Sequence, residues 1–296
     1  MELHFEIENG CLLQCRHCSS DATDCGKRME YSAKAMSDFV DLFSEDTYVF
    51  LTGGEPLLHE NLDEIVALLH HGKENVSVGL FTTGIRKEAG RLSSVSEAYA
   101  GKLCSLGLKV CYCSLYSSCA EEHDWMTGIK GSFDLTLNSI KNLIAQGIEV
   151  KINFVVTKTN KKHLNDVIEM VSSLGCTEVR LLKLIRHGRA EDCWEEIGLT
   201  ESEYRDIVKD ALKSNGGIHI TVSGCPDIAP CRPFEDASGC GASSQLAYVT
   251  FEGDVYPCAS QKKCSSHRIG MIHEIDVLRD YFVRPRPAYK KAICEE

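Results

Sequence analysis

Residues 149–184 read EVKINFVVTKTNKKHLNDVIEMVSSLGCTEVRLLKL, and this stretch decides the fold. Residues 149–156 and 178–184 are apolar and β-branched, as strands are. Between them Leu164, Val167, Ile168, Val171 and Leu174 recur at helical spacing, and Gly175 stops the helix. Strand, helix and strand in close succession form a βαβ unit, with parallel strands and a right-handed crossover.

The same rhythm runs outward to the amino terminus. Further strands are predicted at 3–9, 48–51, 76–82 and 109–115, and helices at 32–44, 62–71, 88–106 and 133–145, the last ended by Gly147. Such alternation is α/β with a parallel sheet. Six units curl into a partial (β/α)6 TIM-type barrel, assigned to residues 1–200. In βα barrels the chemistry sits at the carboxyl ends of the strands. Residues 11–18, 53–55 and 82–83, Ser114 and the stretch beyond Arg180 all fall there.

The chain has 296 residues, 16 cysteines and a net charge of −11. The acidic balance argues against a nucleic-acid partner, which needs a basic surface. Met1-Glu2-Leu3-His4 runs straight into a strand without a signal peptide, and no apolar stretch approaches a membrane span. Reduced thiols in the cytoplasm are therefore expected.

Cys11, Cys15 and Cys18 lie in NGCLLQCRHC, residues 9–18, as C-x3-C-x2-C. Iron–sulfur clusters are usually held by four thiolates; three leave one iron open to a ligand. Two other readings compete. The spacing suits one face of a helix, and a structural zinc site would need a fourth ligand. Asn9-Gly10 before the triplet, and Gln14, Arg16 and His17 within it, favour a polar loop and the open cluster.

Thr52-Gly53-Gly54-Glu55-Pro56 follows the next strand. Gly53 and Gly54 let backbone approach a ligand closely, and Glu55 can accept a charge-assisted hydrogen bond from an ammonium group. The triplet and this run together resemble the radical SAM enzymes. That resemblance implies a [4Fe–4S] cluster on Cys11, Cys15 and Cys18 whose fourth iron is chelated by S-adenosyl-L-methionine. His17 stands where the family commonly has an aromatic residue, and its imidazole is expected to pack over the adenine. Thr83 and Ser114 at strand ends, Asn153 near the ribose and Arg180 near the carboxylate complete the implied cofactor contacts.

Beyond a helix at 202–213 and a strand at 218–222, the chain turns rich in Cys, Pro and Gly: CPDIAPC (225–231), then SGCGASSQLAYVTFEGDVYPC (238–258). Strands at 245–250 and 254–256 flank Glu252-Gly253 as a hairpin. Cys240, Gly253 and Cys258 resemble the opening of SPASM and twitch extensions. The later dense cysteine group of a full SPASM extension is absent, which implies a shortened, twitch-like domain over 201–296 with one auxiliary iron–sulfur cluster. Cys240 and Cys258 are its expected ligands. Cys225, Cys231, Cys264 and Cys294 are candidates for the rest, with Cys231 and Cys294 preferred; a zinc site or unligated thiols are the alternatives.

Residues 114–143 resemble the matching segment of SPASM-type peptide-modifying enzymes. The resemblance implies a radical enzyme that cross-links or epimerises a ribosomally made peptide, reduced by a flavodoxin or ferredoxin. The chain begins at its first strand, so either a separate leader-peptide-binding protein as partner or a short peptide substrate is expected. A dehydrogenase or mutase of a small molecule, and a non-catalytic iron–sulfur carrier or sensor, are the competing readings. Cys113 and Cys225 are candidate hydrogen-atom donors, although Cys111 and Cys113 share one strand face and core packing is their default. His59, His70 and His71 read as surface residues, and Arg186-His187-Gly188-Arg189 as a solvated basic loop. His123-Asp124 reads as a loop hydrogen bond or a substrate contact.

Overall fold

A computed structural model describes residues 1–213, 217–223, 245–262 and 264–283. In chain order the elements are β1 (Glu2–Glu8), α1 (Ala33–Val40), β2 (Thr47–Gly53), α2 (Leu62–His70), β3 (Val76–Thr82), β4 (Ile85–Glu88), β5 (Arg91–Ser94) and α3 (Glu97–Ser105). There follow β6 (Leu108–Ser114), α4 (Ala120–Thr127), α5 (Ser132–Ala145), β7 (Glu149–Val156), α6 (Leu164–Leu174) and β8 (Glu178–Lys183). The remainder comprises α7 (Arg189–Asp192), α8 (Trp194–Ile197), α9 (Glu201–Lys213), β9 (His219–Ser223), β10 (Leu246–Val249), β11 (Asp254–Tyr256), β12 (Gly270–Met271) and α10 (Ile275–Phe282).

The six strands read from the sequence form the centre of a ten-stranded sheet, ordered β12-β11-β10-β1-β2-β3-β6-β7-β8-β9. Neighbours from β1 to β8 pair in parallel. Strands from beyond residue 200 continue this same sheet at both edges: β9 runs parallel to β8, and β10 parallel to β1.

Alternation along each strand separates two faces. Leu3, Phe5, Ile7, Val49, Leu51 and Phe154 pack outward in one core with Phe39, Leu69 and Val167 of the surrounding helices. Removing each such side chain from water is worth about 1.5–3 kcal/mol. The inner face carries Phe50, Phe81 and Tyr112, with Phe50 stacked on Phe81 at 4.6 Å. It also carries charge, described below.

The helix predicted over 88–106 is corrected. Its first part is the β4–β5 hairpin, turned by Ala89 and Gly90 at φ 47° and 80°. The helix starts only at Glu97, where Ser96 Oγ accepts from the Tyr99 N–H at 3.3 Å. His59 is corrected too: it is buried, and its Nδ1 accepts from the Asn61 N–H at 3.2 Å. No helix among the described residues is long and apolar enough to cross a membrane.

Candidate functional site

The chain leaves β1 through Asn9-Gly10, where Glu8 Oε1 accepts from the Gly10 N–H at 2.8 Å. Residues 9–18 then form a non-helical loop, which excludes a helical face for the three cysteines. Cys11 and Cys15 are buried and Cys18 is partly exposed; none is in a disulfide. The end of α4 grips one side of the loop. The N–H groups of Gln14 and Arg16 donate to the carbonyls of Thr127 and Met126, both at 2.9 Å, and the Arg16 guanidinium lies 4.2 Å over the Trp125 ring.

The opposite side is held by Arg189, so the basic stretch 186–189 is not wholly the solvated loop its sequence suggests. Its Nε donates to Cys15 O and its Nη1 to Ala22 O, both at 2.9 Å. Its backbone N–H donates to Cys18 O at 3.1 Å. Cys193 Sγ adds a contact to Arg16 O at 3.3 Å. The signal was present as Gly188-Arg189, but only tertiary contact shows what it grips.

The glycines of the second motif serve the loop's root. Gly54 N–H donates to Glu8 O at 2.7 Å and Glu55 N–H to Gly10 O at 2.8 Å. A Cβ on Gly53 would lie 1.9 Å from Glu8 O, and one on Gly54 2.1 Å from Gly10 O. Their bareness therefore admits the cysteine loop's own backbone, where close approach to a ligand was expected.

Glu55 departs further from expectation. It is fully buried, and Oε1 accepts from the Leu57 N–H at 3.1 Å and the Thr82 hydroxyl at 2.6 Å. Oε2 accepts from the Thr83 N–H at 2.7 Å and the Thr83 hydroxyl at 2.5 Å. Burial raises its pKa and these donors pull it back. Its acceptor capacity is spent inside the protein, so Glu55 and Thr83 brace the site and do not offer themselves to an ammonium group.

Ser114, Asn153 and Arg180 do come together, side by side in register on β6, β7 and β8. Asn153 Oδ1 is buried without a partner. Arg180 turns toward the barrel interior: it donates to Tyr112 Oη at 2.5 Å, lies 4.0 Å over that ring, and its Nε is 3.5 Å from Glu178. This differs from the free carboxylate clamp expected of it. His17 stands edge-on to Tyr116 at 4.4 Å, and its Nδ1 is buried without a partner. Burial, with Arg189 and His123 adding, pulls His17 down to about 3, so its ring is neutral.

His123, missed as a buried group, stacks on Tyr116 at 5.5 Å and takes that residue's N–H on Nδ1 at 3.3 Å. Asp124 caps α5, accepting from the Phe133 N–H and the Ser132 hydroxyl at 2.9 Å. A cavity of about 590 Å³ opens beside α4, walled by Tyr116, Trp125 and Met126 and rimmed by Glu122, Lys158 and Lys162.

Cys113 does not reach the barrel mouth. It is fully buried with Cys111 in the core between sheet and helices, which removes the geometric basis for hydrogen-atom donation. Cys225, Cys231, Cys240 and Cys294 lie outside the described residues. Cys258 and Cys264 are partly exposed. Between them Lys262 reaches inward, 2.6 Å from Glu6 Oε1 and 3.1 Å from Ser20 Oγ.

The three thiols suit a multi-iron group. Burial pushes Cys11 up to about 12, with Glu55 adding to it, and raises Cys15 well above its ordinary value. Metal binding would have to displace those protons. Among the described residues no three His, Cys, Asp or Glu side chains converge on a single ion.

A parallel barrel sheet with a three-thiol loop at the carboxyl end of its first strand defines a class of metal-dependent enzymes. Residues 5–171 match the model of the Radical SAM superfamily, and the chain belongs to that family. Membership implies a [4Fe–4S] cluster and S-adenosylmethionine, and the donor set and the unpartnered Asn153 and His17 atoms fit them. The chain is 30% identical over 266 residues to mycofactocin maturase MftC of Mycobacterium tuberculosis, covering 86% of this chain and 63% of that protein. It is 24% identical over 301 residues to AdoMet-dependent heme synthase of Oleidesulfovibrio alaskensis, covering 94% and 74%. Streptococcus suis SuiB shares the fold. Its structure with S-adenosylmethionine gives a TM-score of 0.73 at 16% identity, covering 94% of this chain and 65% of SuiB. Its structure with precursor peptide SuiA gives 0.72 at 14%, covering 94% and 64%.

Proposed function

We propose that this chain is a radical SAM oxidoreductase that modifies a ribosomally made peptide. The observation that carries the chemistry is the non-helical loop of Cys11, Cys15 and Cys18, held at the barrel mouth by Gly54, Glu55, Thr127 and Arg189. When bound, the cluster and S-adenosylmethionine supply a one-electron cleavage to methionine and a 5′-deoxyadenosyl radical, which removes a substrate hydrogen atom. The residues hold and shield that chemistry. Cys11, Cys15 and Cys18 would ligate the cluster, the unpartnered Asn153 Oδ1 would accept from a ribose hydroxyl, and the neutral His17 ring would pack on the adenine. Glu55 keeps the loop's root in place.

Three features support a peptide substrate: the structure of SuiB bound to precursor peptide SuiA, the resemblance of residues 114–143 to peptide-modifying enzymes, and the cavity beside α4. That cavity backs onto the cysteine loop through Trp125 and Met126, and its aromatic wall and paired charges suit a peptide segment. The cross-link or epimerisation, the flavodoxin or ferredoxin reductant and a leader-binding partner belong to this proposal. So does an auxiliary cluster on Cys240 and Cys258, with Cys231 and Cys294. The similarity to a heme synthase favours a second reading, a small-molecule substrate. Incubation with peptides encoded beside the gene, monitored by mass spectrometry, tests the choice. A mass change supports the peptide; turnover of a small metabolite with no peptide change supports the second reading.

A further inference from the structure

We propose that Arg189 is a positioning residue that clamps the cysteine loop across the open side of the barrel and sets the charge around the metal; this rests on Cys11, Cys15 and Cys18 being the cluster ligands. The loop follows β1, whereas Arg189 follows β8, five places away in the sheet. No strand pairing joins β1 to β8, and this side chain, with the Arg189 N–H and Cys193 beside it, bridges the two sides of the mouth.

The grip is specific. One guanidinium reaches Cys15 O, Ala22 O and Asp21 Oδ1, each at 2.9 Å, and the backbone N–H takes Cys18 O at 3.1 Å. These acceptors bracket the second and third cysteines. Asp21 meets it from a left-handed backbone, φ 52°. Gly188 before it sits at φ 58°, and an added Cβ would stand 2.5 Å from Cys18 O. A lysine keeps the charge but not the planar fork that spans several acceptors.

Cluster potentials respond to net charge and nearby hydrogen bonds. A three-thiolate cluster gains negative charge when one electron arrives, so a fixed cation beside it favours the reduced state. Asp21 partly cancels that cation. The two residues therefore act in opposite directions on the potential, which a purely structural clamp would not do.

The test uses the full chain, reconstituted anaerobically with iron and sulfide, as wild type, Arg189→Met, Arg189→Lys and Asp21→Asn. Each is titrated with dithionite against mediator dyes by electron paramagnetic resonance, and iron release to a chelator is timed. R189M should shift the equilibrium about tenfold toward the oxidised cluster, about 59 mV for one electron, and release iron several-fold faster. R189K should hold the potential and still release iron faster. D21N should shift the potential the other way. If R189M fails to fold, R189K and D21N decide. Wild-type potential and iron release in R189M, or shifts of the same sign in R189M and D21N, would overturn the inference. A wild type that assembles no four-iron cluster would overturn the ligand assignment, and the inference with it.

Discussion

Thr83 donates twice to one oxygen of Glu55, through its backbone N–H at 2.7 Å and its hydroxyl at 2.5 Å. This ties the turn after β2 to the end of β3 at the level where the cysteine loop leaves β1. Each Glu55 oxygen also takes one backbone N–H, from Leu57 or Thr83. In Glu55→Gln the amide nitrogen must face a backbone donor whichever way it turns. The expected loss is about 1–3 kcal/mol, read as a lower midpoint in chemical denaturation of the apoprotein.

Gly54→Ala should be worse for the metal than for the fold as a whole. The added Cβ meets Gly10 O at 2.1 Å, one residue before Cys11. Iron bound after reconstitution should fall several-fold, while far-UV circular dichroism stays near that of the parent.

His123 gives the stability a pH dependence. Burial lowers its pKa from 6.5 to about 4. Between those values the unfolded chain takes up the proton and the folded chain does not, so stability falls as pH drops from about 6.5 to 4. The full contribution is about 3 kcal/mol. Denaturation midpoints at several pH values should show a flatter acid limb in His123→Phe than in the parent.

Lys262 and Glu6 form a nearly buried ion pair, and Glu6 also accepts from Tyr248 Oη. Lys262→Met leaves that carboxylate without its cation, at a cost of about 3 kcal/mol. The β10–β11 hairpin should then exchange amide hydrogens faster, and a second change, Glu6→Gln, should recover part of the loss.

The strands and the cysteine loop were legible because their signals are local. Apolar, β-branched runs alternating with helical patterns marked β1, β2, β3, β6, β7 and β8, and Asn9-Gly10 marked the loop. The β4–β5 hairpin was hidden because Ala89 takes a left-handed backbone that its residue type does not announce. Glu55 was read as facing a ligand because nothing local shows Thr82 and Thr83 arriving from the next strand. Cys113 follows its default reading as a core residue, shared with Cys111 by strand parity; its place at the strand end alone had suggested a donor at the mouth. Arg189 touches residues 167 to 174 positions away, a separation beyond any local pattern.

The most direct test is anaerobic. The reconstituted protein is given dithionite and S-adenosylmethionine, and 5′-deoxyadenosine is followed by mass spectrometry beside a Cys11/Cys15/Cys18→Ala variant. The account predicts deoxyadenosine from the parent and none from the variant. A fully loaded, reducible cluster that yields no deoxyadenosine would contradict it.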